Sequence, residues 1–420
     1  MRVGIVGAGA TGLSAGYTLA QHGHDVTVLE KGPELGGLVA SIHVGGTAVE
    51  RFYHHVFASD TAIIRLAEEL GLGDDLRFRS LETGIYYDGR LHPFGTPREM
   101  LAFSPLGLLD RIRFAASSAY LKAVKRHQRF ERVEALAWTA RHAGKRATEV
   151  IWEPLLRGKF GPRAPEISMA WLWARVHYRT FKLGYLRGGF HRLYAALADA
   201  IESHGGEVVF GKGVQKIERV SGAVRVTCSD GSHDDFERLV VTTPPVELAR
   251  ALGSPGAGTR VDYLGATCFL LELRRSLVPY YWLNVNDPAF PFLAVVEHTR
   301  MEDPAAYGGR HLVYVGNYVA RDDPRYTAEP ARLLDEYLPY LRRLDPAFGP
   351  DDVLDWHFSR APFAQPVVTV GYERGIPPHE TAVEGVYLAS MAQVYPQDRG
   401  QNYAIAMGRE IARGLVEGRL

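Results

Sequence analysis

The chain is poor in thiols, in long apolar runs and in net charge, and each shortage removes a class of protein. Only two cysteines, Cys228 and Cys268, occur in 420 residues, and each lies in an apolar, strand-like run. Neither a structural disulfide nor a thiolate metal site is expected, and no His or carboxylate set has convincing ligand spacing. No segment reaches the ~18 to 20 unbroken apolar residues of a membrane-spanning helix. Lys plus Arg and Asp plus Glu both number 48, and no nucleic-acid-binding motif occurs, so nucleic acid is not an expected partner. The N-terminus has no charged region followed by an apolar stretch and a cleavage site. A cytoplasmic protein is therefore expected, at most peripheral on the inner face of the membrane.

What the chain does contain is a dinucleotide-binding fingerprint at its start. Arg2 to Val6 reads as a short apolar strand, followed at once by Gly7-Ala8-Gly9-Ala10-Thr11-Gly12 and an Ala- and Leu-rich helix to about Gln21. Gly7 permits the turn out of the strand, Gly9 lets the backbone approach a pyrophosphate, and Gly12 lets helix and sheet pack closely. The helix N-terminus then holds the phosphates through free N–H groups and the positive end of its dipole. A second strand, Asp25 to Leu29, ends in Glu30, about 20 residues after the glycines, where a carboxylate binds a ribose hydroxyl. Strand, glycines, helix, strand and acid occur in order, which a lone Gly-rich turn would not produce. At 420 residues the chain also exceeds the usual size of a single core, so two intertwined domains are expected.

The segment after Glu30 indicates which dinucleotide. Five residues separate Glu30 from Gly36-Gly37, and this extension resembles the FAD-binding start of the amine oxidase, protoporphyrinogen oxidase and phytoene desaturase superfamily. UDP-galactopyranose mutase has a similar start. The resemblance implies non-covalent FAD held by Gly7, Gly9, Ala10, Thr11, Gly12, Glu30, Lys31, Gly36, Gly37 and Leu38. Gly188-Gly189-Phe190, Gly205-Gly206-Glu207, Val214 to Ile217 and Val240 to Pro245 resemble the second FAD-binding block of protoporphyrinogen oxidase-like proteins. There the strand matching Val214 contacts adenine through its backbone. Such families close with an apolar strand and Ala-Gly-Asp, but here Gly385 to Ala389 is followed by Ser390-Met391. Asp398, Arg399, Gly400 and Asn402 are read as a helix N-terminus under the flavin pyrimidine, with Asp398 as a simple N-cap the alternative.

The expected fold class is α/β: a Rossmann-like FAD-binding domain, discontinuous over 1–95, 186–245 and 371–420, with an inserted helix-and-sheet substrate domain at 96–185 and 246–370. Helices are expected at Thr61 to Leu70, over most of 96–182, at Phe190 to Ser203, Pro330 to Leu344 and Tyr403 to Val416. Phe236 to Thr243 reads as one strand, and about 260 to 318 as β-rich.

Charge is unevenly spread. Arg98 to Arg192 holds 19 Lys plus Arg against 7 Asp plus Glu. A basic segment of this kind meets an anionic substrate or an anionic lipid surface, or is only a solvated helix face. The Arg-rich helices from Leu108 to Arg132 are the candidates for peripheral membrane contact. Oligomeric state is not legible.

The chemically richest stretch is Arg51-Phe52-Tyr53-His54-His55. It follows the glycine pair where UDP-galactopyranose mutase has a His-containing segment beside the flavin ring. Arg51, Tyr53, His54 and His55 are the catalytic candidates, able to position an anion and to move protons near neutral pH. Adjacent His side chains point apart on a strand, so one of the pair is expected to face the flavin. Trp152, Arg157, Lys159, Arg187 and Tyr281 are the substrate-binding candidates. Glu153 is expected to pair one of the arginines, and core packing is the default for Trp171 and Trp173. No Lys follows Lys216, although amine oxidases resemble one another in a Lys that reaches the flavin through water. The expected enzyme is an FAD-dependent oxidoreductase that takes a hydride from a carbon of an anionic or lipid-linked small molecule. The alternative is a redox-neutral sugar-nucleotide isomerase resembling UDP-galactopyranose mutase.

Overall fold

The computed structural model describes residues 1–254 and 261–420. Residues 255–260, which include the start of the expected β-rich stretch, lie outside the described residues.

A five-stranded parallel sheet forms one half of the chain. Its order is Glu207–Val209, Asp25–Leu29, Arg2–Val6, Arg238–Val241, Val386–Leu388. The strands are continuously apolar because both faces are covered. Helices Ala10–Gln21, His191–Ser203 and Gln401–Val416 bury Leu13, Leu197 and Ile405 against one face. A small antiparallel sheet of Val214–Val220, Ala223–Cys228 and His233–Phe236 buries Val224, Val226 and Phe236 against the other. Helix Gln401–Val416 lies so close to the first helix that a Cβ on Gly408 would sit 2.2 Å from the Thr11 carbonyl oxygen.

Phe236 to Thr243 is not one strand. His233–Phe236 belongs to the small sheet and Arg238–Val241 to the parallel one, and Glu237 makes the crossing. Its backbone N–H donates to the Arg2 carbonyl, while its side chain accepts the Arg2 N–H at 2.9 Å.

The second half is built on a seven-stranded mixed sheet in the order Val353–Pro366, Tyr263–Leu273, His311–Val319, Ala294–Glu297, Trp282–Val285, Thr83–Tyr87, Arg90–Pro93. Helix Pro330–Leu344 covers one face with Leu333, Tyr337 and Leu341. Residues 83–93, grouped by sequence with the nucleotide-binding pieces, pair here instead, Trp282 aligning with Thr83. Helices between Pro97 and His177 pack in two clusters, one around Phe160, Trp171 and Trp173 and one around Phe114, Val150 and Ile151. The result is the α/β architecture with a separate helix-and-sheet half that the sequence indicates.

Candidate functional site

The glycine turn at the start of the chain forms a cradle of backbone. Gly7 has φ +103°, a left-handed value that favours glycine. A Cβ on Gly12 would lie 1.9 Å from the Gly7 carbonyl oxygen, so no other residue fits. The helix that follows has no side-chain cap at Gly9, which leaves the N–H groups of its first turn, including Ala10 and Thr11, without intrahelical partners. The glycine pair closes over this turn: the Gly36 N–H donates to the Ala8 carbonyl at 2.9 Å, and a Cβ on Gly37 would lie 3.5 Å from Gly9 Cα. Glu30 accepts the Ala8 N–H at 2.9 Å and the Gly32 N–H at 2.8 Å, with a lone pair left on each oxygen. A cavity of about 470 Å³ opens beside it, bordered by Gly7, Glu30, Lys31, Val214 and Thr243. Sequence-distant members of the fingerprint thus meet around one space.

A second cavity, of about 220 Å³, lies between the two halves. Residues Tyr53 to Phe57 border it, with Lys159, Arg175, Arg179, Tyr318 and Gln397 to Tyr403. Helix Gln401–Val416 begins here, again without a side-chain cap, at Gly400. Gln401 accepts the Tyr194 hydroxyl at 2.6 Å, but its buried Nε2 has no partner among the described residues. Ser390 Oγ, just past strand Val386–Leu388, is likewise buried without a partner among them. Two uncapped helix N-termini, a glycine cradle and these orphaned polar groups suit a dinucleotide with a polar ring system.

The charged wall of this cavity differs from the sequence reading. The Asp398 carboxylate accepts Lys159 Nζ at 2.7 Å, Arg175 Nη1 at 2.6 Å and Trp171 Nε1 at 3.3 Å. Burial alone would raise its pKa, yet Lys159, Arg175 and Arg399 hold it well below the usual carboxylate range. Asp398 is therefore the anion of a buried ion cluster rather than a helix cap. Asn402 Oδ1 accepts the N–H groups of Ala62 at 2.8 Å and Ile63 at 3.3 Å, capping helix Thr61–Glu69. Arg399 donates to the Tyr318 hydroxyl and, at 3.1 Å, to Gln365 Oε1. At this helix start the Asp398, Arg399 and Asn402 side chains serve the protein, and backbone N–H groups and the Gln401 amide nitrogen are left to face a ligand.

His54 and His55 both border the cavity. Residues 53–55 are loop rather than strand, so alternation does not separate them. Burial pushes His54 down to about 4 and His55 to about 3, which makes both neutral at pH 7 and corrects the expectation of proton exchange near neutrality. The His54 Nδ1–H donates to the Phe52 carbonyl at 2.7 Å, leaving Nε2 as an acceptor. His55 Nδ1 lies 3.1 Å from the Tyr281 hydroxyl, so Tyr281 stands behind His55.

Several candidates lie elsewhere. Arg51 pairs with Glu34, Arg157 with Glu153 at 2.7 Å, and Arg187 with Asp75, which also holds Arg192. Trp152 packs on Phe114, ring centroids 5.6 Å apart. None of these four borders the second cavity. Lys159 does, because two residues along helix Glu153–Phe160 turn its side chain away from that of Arg157. Leu38 borders a small hollow behind Tyr53 and His54. The sequence reading missed Arg175, Arg179 and Tyr318. Trp171 and Arg175 share one helical face, and that spacing was a usable signal for Arg175. Arg179 is exposed at the cavity and has no carboxylate partner among the described residues.

A family model described as flavin containing amine oxidoreductase matches residues 10–413. The mitochondrial protoporphyrinogen oxidase of Nicotiana tabacum is 25% identical over 172 residues, covering 40% of this chain and 34% of that protein. For this and two further curated relatives the match covers little more than a third of their length. An oxidoreductase from Methanosarcina mazei superposes with a TM-score of 0.76 at 18% identity, over 99% of this chain and all of that one. Reduced UDP-galactopyranose mutase superposes with a TM-score of 0.78 at 16% identity, over 99% and 95%. These structures share the fold. The chain belongs to the flavin-containing amine oxidoreductase family, and its cofactor is FAD.

Proposed function

We propose that the protein is an oxidoreductase that removes a hydride from a carbon of an anionic small molecule held in the 220 Å³ cavity. Bound FAD supplies the two-electron acceptor. One observation carries the anionic part of this reading. Arg179 offers to the cavity a guanidinium with no carboxylate partner among the described residues, whereas the other cations of the wall are bonded to Asp398, Tyr318 or Gln365. Such a group binds carboxylate or phosphate through two parallel N–H donors. The Lys159–Asp398–Arg175 cluster holds the wall rigid. Phe57, Leu155, Trp282 and Leu293 supply apolar lining.

The test is the visible spectrum of the holoenzyme, mixed without oxygen with polar and lipid extracts. Bleaching that air reverses supports the oxidoreductase. Arg179→Gln should weaken binding of the active compound at least about 10-fold, while Arg157→Gln leaves it unchanged. Persistent colour, with turnover of nucleotide sugars only after dithionite reduction, would replace this reading with the redox-neutral isomerase.

Peripheral contact with anionic lipid forms part of the same reading. No helix among the described residues is long and apolar enough to cross a membrane. Helix Leu108–Ala123, however, exposes Leu108, Leu109, Ile112, Ala116, Ala119 and Tyr120. Exposed Lys125, Arg126, Arg129 and Arg132 follow it, a combination suited to an interfacial helix. Sedimentation with phosphatidylserine vesicles at low salt should carry the protein down, and failure to do so removes this contact.

A further inference from the structure

Tyr318, which the sequence reading passed over, occupies an unusual place. It lies on strand His311–Val319 and borders both the main cavity and the hollow behind Tyr53. Its phenol oxygen accepts from Arg399 Nη2. The Arg399 guanidinium lies 5.3 Å from the ring centroid and the Lys159 ammonium 5.1 Å from it. The nearby carboxylate, Asp398, is taken up by Lys159, Arg175 and Trp171. Lys159, Arg175 and Arg399 thus face one carboxylate, and the cluster carries more positive than negative charge around a phenol that can ionise.

We infer that Tyr318 is the proton acceptor of the reaction proposed above, on which this inference rests. When a carbon gives up a hydride with its electron pair to the flavin, a double bond forms to the neighbouring atom. That atom must lose a proton, and the Tyr318 oxygen takes it, then returns it to water through the cavity. Charge balances, because phenolate becomes phenol as the substrate loses one hydride and one proton.

The electrostatics agree. Burial opposes ionisation of Tyr318, but Arg399 and then Lys159 outweigh it and hold the phenol below the ordinary tyrosine value. Burial and Tyr318 itself push Tyr53 in the opposite direction, so Tyr53 keeps its proton. His54 and His55, pushed down to about 4 and 3, are much weaker bases. The remaining competitor on the cavity wall is Asp60, pushed up to about 6 by burial, but its Oδ2 already accepts the Phe57 N–H at 2.8 Å.

Two readouts on the holoenzyme test the inference. In an ultraviolet difference titration, one tyrosine should ionise below the others. That step should vanish in Tyr318→Phe and move to higher pH in Arg399→Gln. A low step retained in Tyr318→Phe, or absent from the native protein, overturns the inference. In stopped-flow reduction by the compound that bleaches the flavin, Tyr318→Phe should slow the reaction on the order of 100-fold and abolish the acid limb of its pH profile, without changing the flavin spectrum or compound affinity. Loss of that limb in Asp60→Asn instead assigns the proton to Asp60. If no compound reduces the native enzyme, the oxidoreductase reading fails and the catalytic role falls with it, while the titration still reports whether the phenol is acidified.

Discussion

The glycine cradle at the start of the chain and the cavity between the two halves are built in opposite ways. Around Gly7, Gly9 and Gly12 the ligand-facing groups are backbone N–H, made available by residues that lack side chains. Around Asp398 the wall is made of charged side chains from separate stretches of chain, with Lys159 standing 239 residues from its carboxylate. The first site depends on local spacing and the second on folding as a whole. Substitutions should therefore fail differently in the two places.

The largest effect is expected in the cradle. Gly12→Ala puts a methyl group 1.9 Å from a backbone oxygen that cannot move aside. The purified protein should lack flavin absorbance, and retained stoichiometric FAD would mean the turn is more plastic than its geometry indicates. Next comes Asp398→Asn, which removes the carboxylate that Lys159 and Arg175 bond. Removing one partner of a buried ion cluster costs about 3–5 kcal/mol, to be read from the denaturant midpoint.

Glu50 sharpens the contrast within one motif. It is 1% exposed and accepts the Tyr185 hydroxyl at 2.7 Å and the Phe190 N–H at 2.6 Å. Burial raises it from 4.5 to about 7. Between those values the folded protein keeps a proton that the unfolded chain has lost. Its contribution to stability is thus full below about pH 4.5 and falls as pH rises to about 7, by roughly 3 kcal/mol in total. Glu50→Gln should flatten the fall in Tm over that window. The smallest effects are expected at Arg157 and Arg187, whose exposed pairs contribute less than about 1 kcal/mol each. A loss of compound affinity in either variant would restore them to the binding site.

Much of the fold was legible. Ala10–Gln21, Asp25–Leu29 and Pro330–Leu344 fall where periodicity and breakers put them, because each is bounded by residues that act locally. The split at Glu237 was not, since both strands are apolar and only the sheet each joins distinguishes them. The same limit applied to the arginines. Arg157 and Arg179 read alike as letters. One lies along a helix from Glu153, and the other projects into a cavity that exists only once the two halves meet.

The sequence by itself determined the glycine cradle at the start of the chain, because glycine spacing and strand-to-helix order fix backbone conformation over a few dozen residues. Only the tertiary structure decided which cations are neutralised, that His54 and His55 are uncharged, and that Tyr318 stands among positive charges. Burial and pairing depend on what the rest of the chain brings within a few ångströms, and no local pattern encodes that.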